Sequence, residues 1–173
     1  MHRLDKDSTI YNFTLVKKVR HRPLPLLLYG LLLLPAAVLW AASTSVYVLA
    51  SFAGGLLLLP LLYSALAALY TRLLVPDQRS PWSYGWRFPW LGLLPEQHVP
   101  LRIVILIHHQ LLWIGCAVVC CLYPWIGEAH WSALLALHIW YLLPRYWIFF
   151  MLRHVKKPGL LKINAADTSY YVQ

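Results

Sequence analysis

Acidic residues are scarce in this chain, and they are absent from its longest apolar segments. Only 6 of the 173 residues are Asp or Glu, and charged residues of both signs make up 12% of the sequence, against about 25% in an ordinary soluble domain. Hydrophobic residues make up 60%. This composition argues against a water-soluble single domain.

The missing carboxylates also exclude several classes of enzyme. An aspartyl intramembrane protease and a carboxylate-driven proton coupler each need an acidic side chain within the membrane. The sequence contains no HExxH, GxSxG, P-loop or dinucleotide-binding motif. Catalysis is therefore not the leading interpretation of this chain.

Four apolar runs dominate the sequence. None contains Asp, Glu or Lys, and each is long enough to cross a hydrocarbon layer of about 30 Å as a helix. Because two of the connections are only three or four residues long, we predict an all-α membrane domain, a four-helix bundle of two antiparallel hairpins. Its spans are 24–42, 46–70, 103–126 and 131–152, and the tails are 1–23 and 153–173. A secretory signal over residues 1–43 is the alternative for the first run, but Pro35 interrupts it.

The positions of Lys and Arg predict how the chain is threaded. All 15 of them except Arg145 lie before the first run, between the second and third runs, or after the fourth. Since cytoplasmic segments are enriched in Lys and Arg, both termini and the segment 76–100 are predicted to be cytoplasmic, in a multi-pass protein of the cell membrane. The formal net charge of +9 then suits a membrane face and predicts no nucleic-acid partner.

Small residues and prolines predict how the helices pack. Ala50 with Gly54, and Ser51 with Gly55, form two small-xxx-small pairs, so the second span is expected to be the central packing helix. A proline lies inside each of the first two spans, at positions 35 and 60, and is expected to kink the helix there.

Ionisable side chains inside the third and fourth runs form a candidate anion site: His108, His109, Gln110 and Arg145. At about 1.5 Å per residue, His109 and Arg145 lie about 9 and 10 Å inside the same boundary, so the two can meet. Arg145 needs an anion, a carbonyl or a water pocket, because no span supplies a carboxylate. A bound lipid phosphate or another anion is one interpretation, and snorkelling of Arg145 to the interface is the other.

Two cysteines raise the question of a metal. Cys116, Cys120 and His138 lie about 9 to 15 Å from the outer boundary, and thiol and imidazole ligands suit Cu(I) or Zn. No CxxC motif accompanies them, and Cys in an apolar helix ordinarily serves packing, so we expect no cofactor. Haem between His109 and His138 is disfavoured, since their depths differ by about 10 Å.

The segment 76–100 has a composition of its own. It contains Trp82, Trp86 and Trp90, with Arg87 between them, and five prolines that prevent a long helix. Because Trp favours the headgroup level of a bilayer, we predict an ordered interfacial loop along the cytoplasmic face; a docking surface for a partner protein is the alternative. The two tails are expected to pack on one another or on this loop.

Three functions remain open from the sequence. The leading one is a non-catalytic membrane protein that associates with anionic lipid, with itself or with a partner membrane protein, through the cytoplasmic-side pocket of His and Arg residues and the Trp-rich loop. The second is a lipid-headgroup-modifying enzyme that uses His108 or His109, with Glu96 and His98 as helpers. The third is a membrane subunit that holds a metal or a cofactor.

Overall fold

The computed structural model describes residues 13–74, 82–153, 159–164 and 166–172, with the backbone alone at Leu74, Trp86 and Arg87. Within these ranges the chain is mostly helical, with α1 (Pro23–Leu31), α2 (Leu33–Ser43), α3 (Val48–Leu74), α4 (Leu101–Cys121) and α5 (Tyr123–Leu152). The pair α1 and α2, and each of the other three helices, is long and apolar enough to cross a membrane. The prediction of four such segments is confirmed.

Strands are also present, so the expected all-α fold is incomplete. They are β1 (Thr14–Arg20), β2 (Trp82–Arg87), β3 (Trp90–Pro95), β4 (Val99–Pro100), β5 (Leu160–Ile163) and β6 (Asp167–Val172). β2 and β3 form an antiparallel hairpin, and the other four form an antiparallel sheet in the order β1-β6-β5-β4, here called the tail sheet. These strands are short and lack a regular apolar–polar alternation, which is the pattern that predicts strands from sequence.

The tail sheet joins distant parts of the chain. Thr14 pairs with Val172 and Arg20 pairs with Asp167, so the two tails do pack on one another. The sheet contacts α4 and α5 through a buried apolar cluster that contains Leu161, Phe149 and other side chains. It therefore lies where α4 begins and α5 ends.

Prolines remove an intrahelical hydrogen bond in each of the first two apolar segments, and at Pro60 the freed carbonyl has another partner. Pro35 lacks the N–H that would bond the Leu31 carbonyl, and the first apolar segment divides at this point into α1 and α2. Pro60 lies inside α3 and leaves the Leu56 carbonyl without its intrahelical donor. The Tyr141 hydroxyl of α5 donates to that carbonyl at 3.0 Å, as a buried or membrane-embedded backbone group requires.

Two glycines allow close approach between helices. A Cβ built on Gly55 in α3 would lie 2.7 Å from the side chain of Leu137 in α5, and one built on Gly115 in α4 would lie 2.2 Å from the His138 ring. Gly54, in contrast, has open space around it. α3 contacts α2, α4, α5 and β3, which agrees with the central position expected for the second span.

Candidate functional site

The hairpin of β2 and β3 packs among the helices. Gly92, at φ +112°, brings β3 against the middle of α3, where a Cβ would lie 3.9 Å from the Pro60 carbonyl oxygen. At the turn of the hairpin, the Phe88 ring stacks on Trp140 of α5, with the ring centroids 5.4 Å apart. Pro60 and Trp140 lie about 21 and 18 Å along their helices from the ends nearest the hairpin's base. The turn thus reaches deep between the helices, whereas the sequence predicted a loop along the end of the bundle.

Arg145 of α5 holds the turn of this hairpin. Its side chain is only 2% exposed, and its Nε donates to the Pro89 carbonyl at 2.9 Å while its Nη2 donates to the Leu91 carbonyl. The rings of Tyr63 and Trp90 lie 5.8 and 6.0 Å from the guanidinium carbon, within cation–π range. The hairpin backbone solvates the charge, and the charge satisfies backbone carbonyls that lipid would leave unpaired. Arg145 is therefore hydrogen-bonded to carbonyls, one of the three kinds of partner predicted for it from the sequence.

His108, rather than His109, is the histidine that faces Arg145. The buried His108 donates from Nδ1 to the Val104 carbonyl at 2.7 Å, which leaves Nε2 as an acceptor 3.5 Å from Arg145 Nη1. His109 is exposed, and its Nδ1 lies 2.9 Å from the Ile105 carbonyl. One residue along an α-helix turns a side chain by about 100°, so depth alone did not distinguish the two histidines.

The space beside Arg145 and His108 is very small. The cavity there has a volume of about 10 Å³, which is room for one water molecule and not for a phosphate. Gln110, the remaining member of the candidate anion site, accepts a hydrogen bond from the Tyr70 hydroxyl at 3.3 Å. In this structure, the hydrogen bonds of Arg145 connect α5 to the hairpin.

The expected catalytic helpers lie apart from the buried histidine. Glu96 is exposed between β3 and β4. The His98 ring stacks on Phe13 at a centroid distance of 4.7 Å and meets the Tyr171 ring edge-on at 4.8 Å, beside the tail sheet. Burial, together with the nearby charge of Lys162, lowers the pKa of His98. This placement assembles no acid–base pair with His108.

The three residues considered as an alternative metal site, Cys116, Cys120 and His138, are not brought together as ligands. His138 is fully buried, accepts a hydrogen bond from the Tyr63 hydroxyl at Nδ1 (2.6 Å) and donates from Nε2 to the Leu112 carbonyl at 3.1 Å. Cys120 is exposed and Cys116 is half-buried. Among the described residues, no three His, Cys, Asp or Glu side chains are placed to hold a metal ion.

A groove with a basic rim, here called the basic groove, runs between α1 and α5. It has a volume of about 1040 Å³, and Pro89 of the hairpin turn lies against it. The rim consists of residues that β1 and the start of α1 supply, and the walls are apolar side chains of the two helices. The rim contains Lys17, Lys18, Arg20 and Arg22, and the walls contain Leu26, Leu143, Trp147 and Met151.

The cations of the rim differ in how they are compensated. Lys18 forms a salt bridge of 3.2 Å with Asp167 in β6. Burial alone would raise the pKa of the Asp167 carboxyl, but hydrogen bonds from Ser169, Asn164 and Lys18 outweigh it and hold that pKa below its ordinary value. Within the described ranges the other three rim cations have no carboxylate partner and no acidic residue lines the groove, although Lys17 donates a hydrogen bond to the Met151 carbonyl.

Tyr29 positions α1 against α5 and so shapes the groove. Pro144 removes the N–H that would bond the Trp140 carbonyl, and the Tyr29 hydroxyl donates to that carbonyl at 2.8 Å. The Tyr29 ring also stacks on Trp140, with the centroids 5.0 Å apart. The first span is otherwise little buried by the protein, and its second half, α2, packs against α3. The Tyr29 contact is therefore a principal attachment of α1.

The tryptophans of the expected interfacial loop have separate environments. Trp90 is 2% exposed, and its Nε1 donates to the Thr168 hydroxyl oxygen at 3.0 Å, which ties the hairpin to the tail sheet. Trp82 is half-buried against the helix core. The side chains of Trp86 and Arg87 lie outside the described part of the chain.

In comparisons with known proteins, no protein-family model, curated protein or solved structure matches the chain. The functional interpretation therefore depends on the residues themselves. From the sequence, the basic residues before the first span predicted only the threading of the chain, and their groove was not predicted. The sequence does contain a signal for this groove, which is a basic cluster directly before an apolar run with Tyr29 in its first half.

Proposed function

We propose that this protein is a non-catalytic, multi-pass membrane protein that binds anionic phospholipid in the basic groove. The observation that carries the proposal is that Arg20 and Arg22, without a carboxylate partner among the described residues, stand at the rim of a groove with apolar walls. A soluble phosphate would use the cations but make no contact with the walls. A phospholipid uses both, with its phosphate on the guanidinium groups and its acyl chains along α1 and α5.

The threading that we propose puts both termini and the segment 76–100 in the cytoplasm, with the helices as two antiparallel hairpins. The tail sheet supports this threading because it contains strands from before α1, from before α4 and from after α5. The excess of Lys and Arg in the same segments supports it independently. The rim then faces the cytoplasmic leaflet of the cell membrane, whose anionic lipids attract basic residues.

Arg145 contributes to this function through position. Its hydrogen bond to the Pro89 carbonyl fixes the hairpin turn, and Pro89 lies against the groove. In this proposal Arg145 does not touch the lipid; it maintains the surface on which the lipid lies.

Lipid retention by matched variants tests the proposal. The protein is purified in mild detergent, exchanged into nanodiscs of equal parts dioleoyl phosphatidylglycerol and dioleoyl phosphatidylcholine, and analysed by native mass spectrometry after release. The wild type is expected to retain phosphatidylglycerol preferentially. Arg20→Gln with Arg22→Gln is expected to lower that affinity by about fivefold for each arginine removed, since each basic residue near the surface contributes about 1 kcal/mol.

Arg102→Gln is the matched control. Arg102 is an exposed arginine at the start of α4 that does not line the groove. Its replacement is expected to leave retention unchanged. Equal retention of the two lipids by the wild type, or an equal loss in both variants, would contradict binding in the basic groove.

A further inference from the structure

A second apolar groove lies on the neighbouring face of α1. It has a volume of about 510 Å³ and is lined by Pro25, Leu28, Tyr29, Leu31 and Leu32. Pro25 and Tyr29 also line the basic groove, so the two grooves meet along one ridge, just beyond Arg22. The two apolar surfaces thus adjoin each other next to one basic rim, which lines only the basic groove.

The charge at the rim exceeds that of a single phosphate. Of the three rim cations without a carboxylate partner within the described ranges, Lys17 donates a hydrogen bond to the Met151 carbonyl, so Arg20 and Arg22 remain. A phospholipid with one phosphate brings one negative charge and leaves one of these two arginines uncompensated. A lipid with two phosphates compensates both.

The spacing of the two arginines favours two separate phosphate contacts. β1 ends at Arg20, and Arg22 has extended backbone angles (φ −71°, ψ 123°). Two residues of extended chain span about 7 Å. Each guanidinium can therefore bind a phosphate of its own through paired N–H donors.

We infer that the ligand of the basic groove is a phospholipid with two phosphates joined by a short linker and with two diacyl arms. One arm lies in the basic groove and the other in the second groove, while Arg20 and Arg22 each hold one phosphate. This inference rests on the proposed function and specifies its ligand class.

Binding of three lipids with matched acyl chains tests the inference. Delipidated full-length protein is titrated in detergent with tetraoleoyl cardiolipin, dioleoyl phosphatidylglycerol and dioleoyl phosphatidylcholine, and affinities are measured by native mass spectrometry. The diphosphate lipid is expected to bind one per protein and about tenfold more tightly than phosphatidylglycerol, because it adds a second charge-assisted contact. Arg22→Gln is expected to reduce the two affinities to similar values.

The second groove is tested separately by filling it. Leu28→Trp places a large ring in that groove, and Leu28 is 54% exposed, so the substitution leaves the protein core intact. Leu27→Trp is the control, since Leu27 is 60% exposed and lines neither groove. Leu28→Trp is expected to weaken the diphosphate lipid severalfold and to leave phosphatidylglycerol unchanged.

The outcomes separate the inference from the function on which it rests. Equal affinity for cardiolipin and phosphatidylglycerol, with both lost in Arg20→Gln and Arg22→Gln together, overturns the two-phosphate ligand and leaves the proposed function standing. Equal effects of Leu27→Trp and Leu28→Trp overturn the assignment of the second arm. No preference for either anionic lipid over phosphatidylcholine overturns both proposals.

Discussion

Arg145 and Arg20 carry the same charge in opposite settings. Arg145 is 2% exposed, and carbonyls of the hairpin surround its guanidinium. Arg20 is exposed at the rim of a groove and has no carboxylate partner in the described part of the chain. Where the protein supplies the hydrogen bonds of a cation, that cation fixes structure. Where the protein supplies no acceptor for a cation beside an apolar surface, the cation is available to a ligand.

The strongest test of this contrast removes the buried charge. Arg145→Met leaves the Pro89 and Leu91 carbonyls without donors, and the loss is offset only in part by relief of the buried charge. We expect the free energy of unfolding to fall by about 3 kcal/mol, measured by denaturant titration in detergent. Arg20→Gln should leave it unchanged, because it breaks no hydrogen bond that the structure describes. Equal free energies of unfolding for Arg145→Met and Arg20→Gln would contradict the distinction between an arginine that fixes structure and one that is available to a ligand.

A smaller effect is expected at the close contact between α4 and α5. Gly115→Ala puts a methyl group 2.2 Å from the buried His138 ring, and overpacking of this kind costs about 2 kcal/mol. Gly54→Ala meets open space and should be neutral or slightly stabilising, since Ala favours helix over Gly. Both variants are measured in the same denaturant titration. A tolerated Gly115→Ala would show that His138 is free to move.

Removal of one hydroxyl is expected to loosen the wall of the basic groove. Tyr29→Phe keeps the ring stack on Trp140 but leaves that residue's carbonyl without a donor, which should cost about 1 kcal/mol. We also expect faster proteolysis or faster hydrogen exchange of α1 in Tyr29→Phe. Tyr47→Phe is the control, because Tyr47 is 76% exposed. No difference between the two would mean that α1 is held by other contacts.

The smallest effect is a dependence on pH at the tail sheet. Because the pKa of Asp167 is held below its ordinary value of 3.8, its ionised form stabilises the fold at neutral pH. That stabilisation is lost as the pH falls below about 4 and through the folded-state pKa. Between pH 7 and pH 3, the free energy of unfolding should fall more in the wild type than in Asp167→Asn. Glu128→Gln, at an exposed position, should retain the wild-type loss.

Much of the helical part of this fold could be predicted from sequence, because apolar length is a signal that a single chain carries. The interruption near Pro35 and the close approach at Gly55 followed from residue type alone. The hairpin could not be predicted in this way. Its strand β3 reads WLGLLP, which shows no alternation, and the turn depends on Arg145, more than fifty residues later in the chain.

The candidate site was harder to predict for a related reason. Depth along a helix placed Arg145 correctly near a histidine but did not say which one, since His108 and His109 differ in direction and hardly in depth. The basic groove depends on how far α1 stands from α5. That distance is set by Tyr29 and Pro144 together, and the two lie far apart in the sequence.

The pairing of β1 with β6 has a consequence for synthesis of the protein. Thr14 pairs with Val172, which is synthesised 158 residues later. At a translation rate of about 5 to 20 residues per second, the time between synthesis of the two residues is about 8 to 30 s. During that time the first strand is complete but unpaired, with basic residues and an open backbone edge exposed to chaperones and proteases. The rim of the basic groove therefore reaches its final form only after the last span has been made. A ribosome that stops before residue 167 leaves a chain in which β1 has no partner strand.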